Sequence, residues 1–191
     1  TGDNFIPRLP YEGDWEVPAT MNDTWGYNKD DHNWKDADSI IRLLVKINSR
    51  GGNYLLNIGP KGNGEIPQES IEILDKVGKY VTENSEGIFA TEKMDIYPYE
   101  LDGVEFTCKK NRLYVHVFKP MKRLEILNCA NHVDRAYLLR DGRDVSCVSE
   151  ISCEGDPCVS IEFPRDMREQ KNYCICLELE EEKPVFEPLR G

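Results

Sequence analysis

The sequence predicts two structural units in series, an α/β segment followed by an antiparallel β-sandwich. Three observations carry this. Residues 1–92 hold two amphipathic apolar repeats of helical spacing around a short apolar run that ends in Gly59-Pro60. From about Asp95 the apolar period shortens to two, the spacing of half-buried strands. The three tryptophans (Trp15, Trp25, Trp34) all fall in the first stretch, and the seven cysteines all lie at or beyond Cys108. A chain of 191 residues is one large domain or two small ones. It is too short for a complete (β/α)8 barrel, which takes at least about 200 residues.

Each element of the first unit has its own signal. A short strand is expected over Trp15–Thr20, followed by a long loop. Asp38 or Ser39 can cap the next helix, whose apolar face is Ile40, Ile41, Leu44, Val45 and Ile47, and Gly51-Gly52 ends it. Asn53–Ile58 is short and nearly all apolar, as expected of a strand buried on both faces in a parallel sheet. Lys61-Gly62-Asn63-Gly64 is a loop. Pro67 marks the start of a second helix with an inner stripe of Ile71, Leu74, Val77, Tyr80 and Val81, and Gly87 lies just past its end.

The second unit divides into strands Val104–Lys109, Arg112–Lys119, Leu124–Leu127, Arg135–Leu139, Val159–Phe163 and Asn172–Leu179. Turn signals such as Lys110-Asn111, Asp141-Gly142 and Gly155-Asp156-Pro157 separate them, a spacing that suggests a sandwich. His116 lies within an apolar strand, where a packed histidine is expected. The tail Glu180–Pro184 is read as a solvated exit segment, and the charge run Glu178–Glu182 as a solvated face.

Composition removes several classes of function. The net charge is −11 with no dense Lys/Arg cluster, which argues against a nucleic-acid partner. No run approaches 18 apolar residues, so no helical membrane span is expected. Residues Thr1–Phe5 lack the pattern of a signal peptide, and the absence of an initiator methionine suggests a start partway through a longer or processed protein. The cysteines are odd in number and lack zinc-site spacing. Cys174 and Cys176 share a strand face and are poorly placed to bridge. Free, mostly buried thiols favour a reducing, cytoplasmic setting.

The chemistry is expected in the first unit. Trp15-Glu16 opens the strand, and Met21-Asn22-Asp23-Thr24-Trp25-Gly26-Tyr27 follows in the loop. Aromatics interleaved with amides and a carboxylate suit a sugar, which offers an apolar face for stacking and hydroxyls for hydrogen bonds. A carboxyl desolvated by an indole is favoured as a general acid. From spacing alone, a Glu beside a Trp is more often a surface or structural residue than a catalytic one. His32, in a polar loop, is read as solvated, and Asn53 and Asn57 as partners for loop or barrel polar groups. Gly59–Gly64 lacks the phosphate-loop pattern.

Taken in order, Trp15-Glu16, Thr20–Tyr27, Gly51–Pro60 and Gly64-Glu65-Ile66-Pro67 resemble glycoside hydrolase family 29, the α-L-fucosidases, almost continuously over residues 15–90. Beyond residue 95 only the architecture matches. The resemblance implies that residues 1–92 are the C-terminal remainder of a catalytic (β/α)8 barrel and residues 93–191 a β-sandwich domain. It implies hydrolysis of terminal α-L-fucose from glycans by double displacement, with no metal or organic cofactor. The nucleophilic Asp and the fucose-holding histidines would lie upstream, in a missing N-terminal half of the barrel, leaving the isolated chain inactive.

Glu16 matches the Trp-Glu position proposed as acid/base in part of the family. Other members use an acidic residue in an earlier Gly-Asp…Thr-Pro-Glu stretch. Here that stretch reads Gly2-Asp3-Asn4-Phe5-Ile6-Pro7-Arg8, with Arg8 at the Glu position. The departure ranks Glu16 first and Asp3 second. Trp25 and Trp15 would line the sugar pocket, although packing under the loop suits Trp25 equally. The alternatives are a non-catalytic carbohydrate-binding or interaction module, and a structural remnant with an exposed sheet edge.

Overall fold

The computed structural model describes residues 3–7, 11, 13–94 and 101–188. The change of pattern at Asp95 and the Arg8 position fall outside the described residues.

The first unit is a β–α–β–α arrangement: β1 (Glu16–Thr20), α1 (Ala37–Ser49), β2 (Asn53–Asn57) and α2 (Gln68–Glu83). The strands pair in parallel, with Glu16 beside Asn53 and Thr20 beside Asn57. The cap of α1 corrects the expectation. It is Asp36, whose carboxylate accepts the Ser39 N–H at 2.7 Å. Asp38 is already inside the first turn and turns outward to Lys171 and Asn172. α2 begins just after Pro67, as the sequence predicts.

One face of the β1–β2 sheet is covered. Val17 packs with Trp15 and Ile47, while Tyr54 and Leu56 meet the apolar sides of α1 and α2. The other face is not. Glu16 and Asn53 are exposed, and Leu55 is 53% exposed. The expectation of a strand buried on both faces therefore fails for β2 over the described residues. The long apolar run reflects helices on one side and an uncovered side opposite.

The described residues of the second unit form seven strands: β3 (Val104–Lys109), β4 (Arg112–Val117), β5 (Arg123–Leu127), β6 (Val133–Leu138), β7 (Ser146–Ile151), β8 (Pro157–Glu162) and β9 (Tyr173–Leu179). They form two antiparallel sheets, ordered β3-β4-β9-β6 and β5-β8-β7. Their inner faces share one core, including Phe106, Val115, Ile126, Leu138, Ile161 and Ile175. β7 was not expected, because Ser146-Cys147-Val148-Ser149-Glu150-Ile151 exposes most of its side chains at a sheet edge and carries little apolar signal.

The tail is solvated as expected at Glu180, Glu182 and Lys183, which are all exposed, and it is also anchored to the sandwich. Glu181 accepts from Asn131 and from the His132 N–H, the Asn111 N–H donates to Glu182 O, and Phe186 is buried in the sandwich core. The acidic run is tied down, with Glu178 against Arg112 and Glu182 against Lys110. Among the described residues no helix is long and apolar enough to cross a membrane.

The two units meet along a continuous seam. α1 lies against β3, and Phe118 packs into the apolar cluster of the first unit with Tyr80 and Ile88. The Met94 N–H donates to Ser49 O at 3.3 Å. The described residues on either side of the change of sequence pattern are therefore packed against each other.

Candidate active site at the ends of a parallel strand pair

In α/β folds the loops that follow the strands carry the chemistry. Here these are residues 21–36 after β1 and 58–67 after β2. The first loop is built around Asp31. Its carboxylate accepts the N–H groups of Asp23 (3.0 Å) and Asn33 (3.1 Å) and the Thr24 hydroxyl (3.1 Å). Burial works against the charged form of Asp31, but these hydrogen bonds prevail and hold its pKa below the usual carboxylate value. Asn33 also donates to the Asp23 carboxylate. Sequence reading missed Asp31. An Asp two residues before an Asn in a polar loop is the available signal, because such side chains bond their own backbone two positions on.

The loop is pinned across to β2. Asn57 Nδ2 donates to Trp25 O at 2.6 Å, and Lys35 Nζ donates to Thr20 O at 2.5 Å. Gly59, at φ +50°, lies where a Cβ would come 3.4 Å from Trp25 O. That contact is ordinary, and it is the left-handed backbone that favours glycine there. Asn57 thus satisfies a loop carbonyl, as expected of it. Asn53, at the other end of β2, is exposed.

This pinning leaves Trp25 and Tyr27 each 44% exposed on the C-terminal side of the strands. Half-exposed rings on a fixed backbone can stack on an apolar sugar face. The sequence motif contains Tyr27 without marking it as a binder. Its exposure beside Trp25 is a tertiary property that the motif does not encode.

Trp15 is different. It is 6% exposed, packs against Val17 and Ile47, and donates through Nε1 to Arg50 O at 3.2 Å. Its ring lies over the backbone of Gly52. The indole is therefore part of the support of β1 rather than a free platform.

The two candidate carboxylates lie at different heights along β1. Glu16 is the first residue of the strand, exposed on the uncovered face. Asp3, also exposed, precedes Asn4, whose N–H donates to Pro18 O at 3.0 Å. The segment bearing Asp3 thus runs beside the middle of β1. His32 is exposed, and His116 is buried far along the chain in β4, each as expected. Among the described residues no three His, Cys, Asp or Glu side chains gather as a metal site requires.

Residues 1–86 match the family model described as alpha-L-fucosidase. The tissue alpha-L-fucosidase of Bos taurus is 34% identical over 115 residues, which is 59% of this chain and 24% of the relative. The Mus musculus enzyme is 40% identical over 112 residues, 57% of this chain and 25% of the relative. Among solved structures, alpha-L-fucosidase isoenzyme 1 from Paenibacillus thiaminolyticus has a TM-score of 0.82 at 27% identity, covering 94% of this chain and 44% of that one. The alpha-L-fucosidase from Vibrio sp. strain EJY3 has a TM-score of 0.81 at 28% identity, covering 97% and 33%. The chain spans about a quarter of the length of these curated relatives. Residues 1–86 thus resemble the α-L-fucosidases in sequence, and most of the chain resembles them in fold.

Proposed function

We propose that this chain is the C-terminal portion of a retaining α-L-fucosidase, contributing the last strands and loops of a (β/α)8 barrel and the β-sandwich that follows. Its substrate is a terminal α-L-fucose on a glycan or simpler fucoside. One observation carries the reading: the family-matched residues 1–86 contain a parallel strand pair with an exposed carboxylate on its uncovered face and half-exposed aromatics in the loop that follows its first strand.

In this reading a nucleophilic Asp from barrel strands outside these 191 residues attacks the anomeric carbon. The acid/base carboxyl of this chain protonates the departing glycosidic oxygen, and the same group then deprotonates the water that releases fucose. Trp25, with Tyr27 beside it, stacks on the sugar, and Trp15 holds β1 from behind.

Between the two acid/base candidates, strand geometry supports Asp3. Barrel chemistry gathers at the C-terminal ends of the strands. The Asn4–Pro18 hydrogen bond brings the Asp3 segment two residues further along β1 than Glu16, about 7 Å at the usual rise. The sequence ranking of Glu16 first rested on the Trp-Glu match and on Arg8, not on height in the sheet.

The test uses two preparations. The 191-residue chain alone is expected to release no fluoride from α-L-fucosyl fluoride, because one carboxyl cannot perform a double displacement. Turnover abolished by Glu16→Gln would refute this. In the longer polypeptide that includes the preceding barrel strands, Asp3→Asn is expected to lower hydrolysis of an alkyl fucoside about 10²–10⁴-fold. Hydrolysis of the fluoride, which needs no protonated leaving group, is spared in its first step, and azide restores turnover. Glu16→Gln is expected to stay within about tenfold of the parent. The reverse pattern would return the role to Glu16.

A further inference from the structure

The most completely buried polar cluster of the described residues lies away from the sugar site, where α2 meets the four-stranded sheet. At its centre is His116 of β4, wholly buried together with Thr107 of β3 and Cys174 of β9. Tyr80 of α2 lies with its hydroxyl 2.7 Å from His116 Nδ1. His116 Nε2 is 2.9 Å from Thr107 Oγ1, and Thr107 Oγ1 donates to Gly87 O at 2.6 Å. Asn84, at the end of α2, accepts the Cys174 N–H at 3.0 Å and donates to Tyr80 O at 2.9 Å.

The donors in this cluster have one consistent arrangement. Thr107 has a single hydroxyl hydrogen, and Gly87 O takes it. Thr107 Oγ1 must then accept from His116, so the Nε2 atom carries the ring proton. Nδ1 is left as an acceptor, and Tyr80 donates to it. The relay Tyr80 → His116 → Thr107 → Gly87 O leaves no donor or acceptor wanting, and it requires a neutral imidazole. A second ring proton sets an N–H against the Tyr80 hydroxyl. Tyr80 can accept only by turning its own hydrogen away from its partner. The new charge is also isolated from water.

We propose that His116 makes the seam between α2 and the four-stranded sheet an acid-sensitive latch, closed while the imidazole is neutral and opened when it is protonated.

The surrounding groups do not supply a counter-charge that would cancel this effect. From α2 the titratable neighbour is Tyr80, whose burial pushes its pKa well above the ordinary value. From β9 it is Cys174, pushed up likewise by burial. From the turn Ser85–Gly87 it is Glu86, which is already engaged by Arg112 and by the Tyr114 hydroxyl at 2.8 Å. From β3 it is Glu105, the register partner of His116, which lines a cavity with Arg42 and Lys46 of α1. Burial accordingly moves the His116 pKa down to about 3, against a smaller opposing effect of Gly87 O. A base whose pKa is depressed in the closed state binds fewer protons there than when released. The closed state is therefore at full strength above about pH 6.5 and weakens steadily as pH falls toward about 3.

The latch stands apart from the fucosidase reading and is tested without activity. Native-state hydrogen exchange of the 191-residue chain, corrected for intrinsic rates, compares pH 7.5 with pH 5.0. With a released histidine near 6.5, protection over residues 68–88 should fall about thirtyfold. β5, β7 and β8 should change by less than about threefold, since they do not touch the cluster. In His116→Gln, which cannot titrate, the ratio for residues 68–88 should collapse to that of β5, β7 and β8. If that variant does not fold, imidazole ¹⁵N shifts of the unaltered chain decide. They should report the Nε2–H form and no titration above pH 5 in the closed state. An equal pH ratio in His116→Gln, simultaneous loss of protection in every strand, or titration near 6.5 with residues 68–88 still protected would each overturn the proposal.

Discussion

Gly52→Ala is the sharpest structural test of how Glu16 is held. A Cβ built at Gly52 falls 2.5 Å from Trp15 Cζ2 and 2.6 Å from Cε2 and Cη2. Carbon atoms prefer about 3.5–4.0 Å, so the indole must retreat by roughly 1 Å. It has little room, being packed against Val17 and Ile47 and tied through Nε1 to Arg50 O. Overpacking of this kind costs about 1–3 kcal/mol, and loss of the Nε1 bond adds about 1 kcal/mol. Gly52 does not occupy the left-handed region, so the backbone adds no strain. The entropy lost from the unfolded chain returns about 0.4–1 kcal/mol. The expected net is a destabilisation of about 1–3.6 kcal/mol, read by urea unfolding followed by circular dichroism. In a Trp15→Leu background the same substitution should cost less than about 0.5 kcal/mol, because the clash partner is gone. A Gly52→Ala variant as stable as the parent would refute the reasoning. So would an equal cost in both backgrounds, which would mean that the indole does not rest on Gly52.

Two further outcomes follow from the same geometry. At pH 7.5 a thiol reagent should find one fast cysteine among the seven, Cys153, the exposed one; burial pushes Cys147 up to about 12 and Cys129 and Cys176 up to about 11, so a second fast thiol in the folded chain would contradict the packing. Asn57→Ala removes the bond to Trp25 O and should cost about 1 kcal/mol; acrylamide quenching should rise in this variant and not in its Trp25→Phe counterpart, and unchanged quenching would mean that Asn57 does not fix the loop.

What the sequence made legible, and what it hid, follows from the range of the forces involved. Helix periodicity is local, so α1 and α2 were readable to within a few residues. The cap was misassigned because Asp36, Asp38 and Ser39 are all good capping residues, and the choice depends on which one the sandwich claims. Asp38 is drawn out by Lys171 and Asn172, more than 130 positions away in sequence. The strands with buried alternation were legible for the same local reason, whereas β7, an exposed edge, was not. The loop motif containing Trp25 was visible as residue types. Its organiser, Asp31, was not, since it works through hydrogen bonds to neighbours rather than through a distinctive pattern. The height of Glu16 relative to Asp3 depends on a backbone bond between Asn4 and Pro18, which no spacing rule contains.

The seam explains how the first unit persists with so little sheet of its own. A two-stranded sheet is marginal without a packed face, and β1–β2 has one face covered by helices and one uncovered. The sandwich supplies the remaining support. It meets α1 through β3 and through the Asp38 contacts, and it meets α2 through Tyr80, Asn84 and His116. These contacts grip the helices on the side away from the uncovered strand face. That face, bearing Glu16, Leu55 and the Asp3 segment nearby, is left free for further strands. A barrel completed there would cover Leu55 and absorb the open strand edges without disturbing the seam. A sandwich that held the strands directly would have closed the site. One that packs chiefly against the helices stabilises the unit and leaves the uncovered strand face accessible.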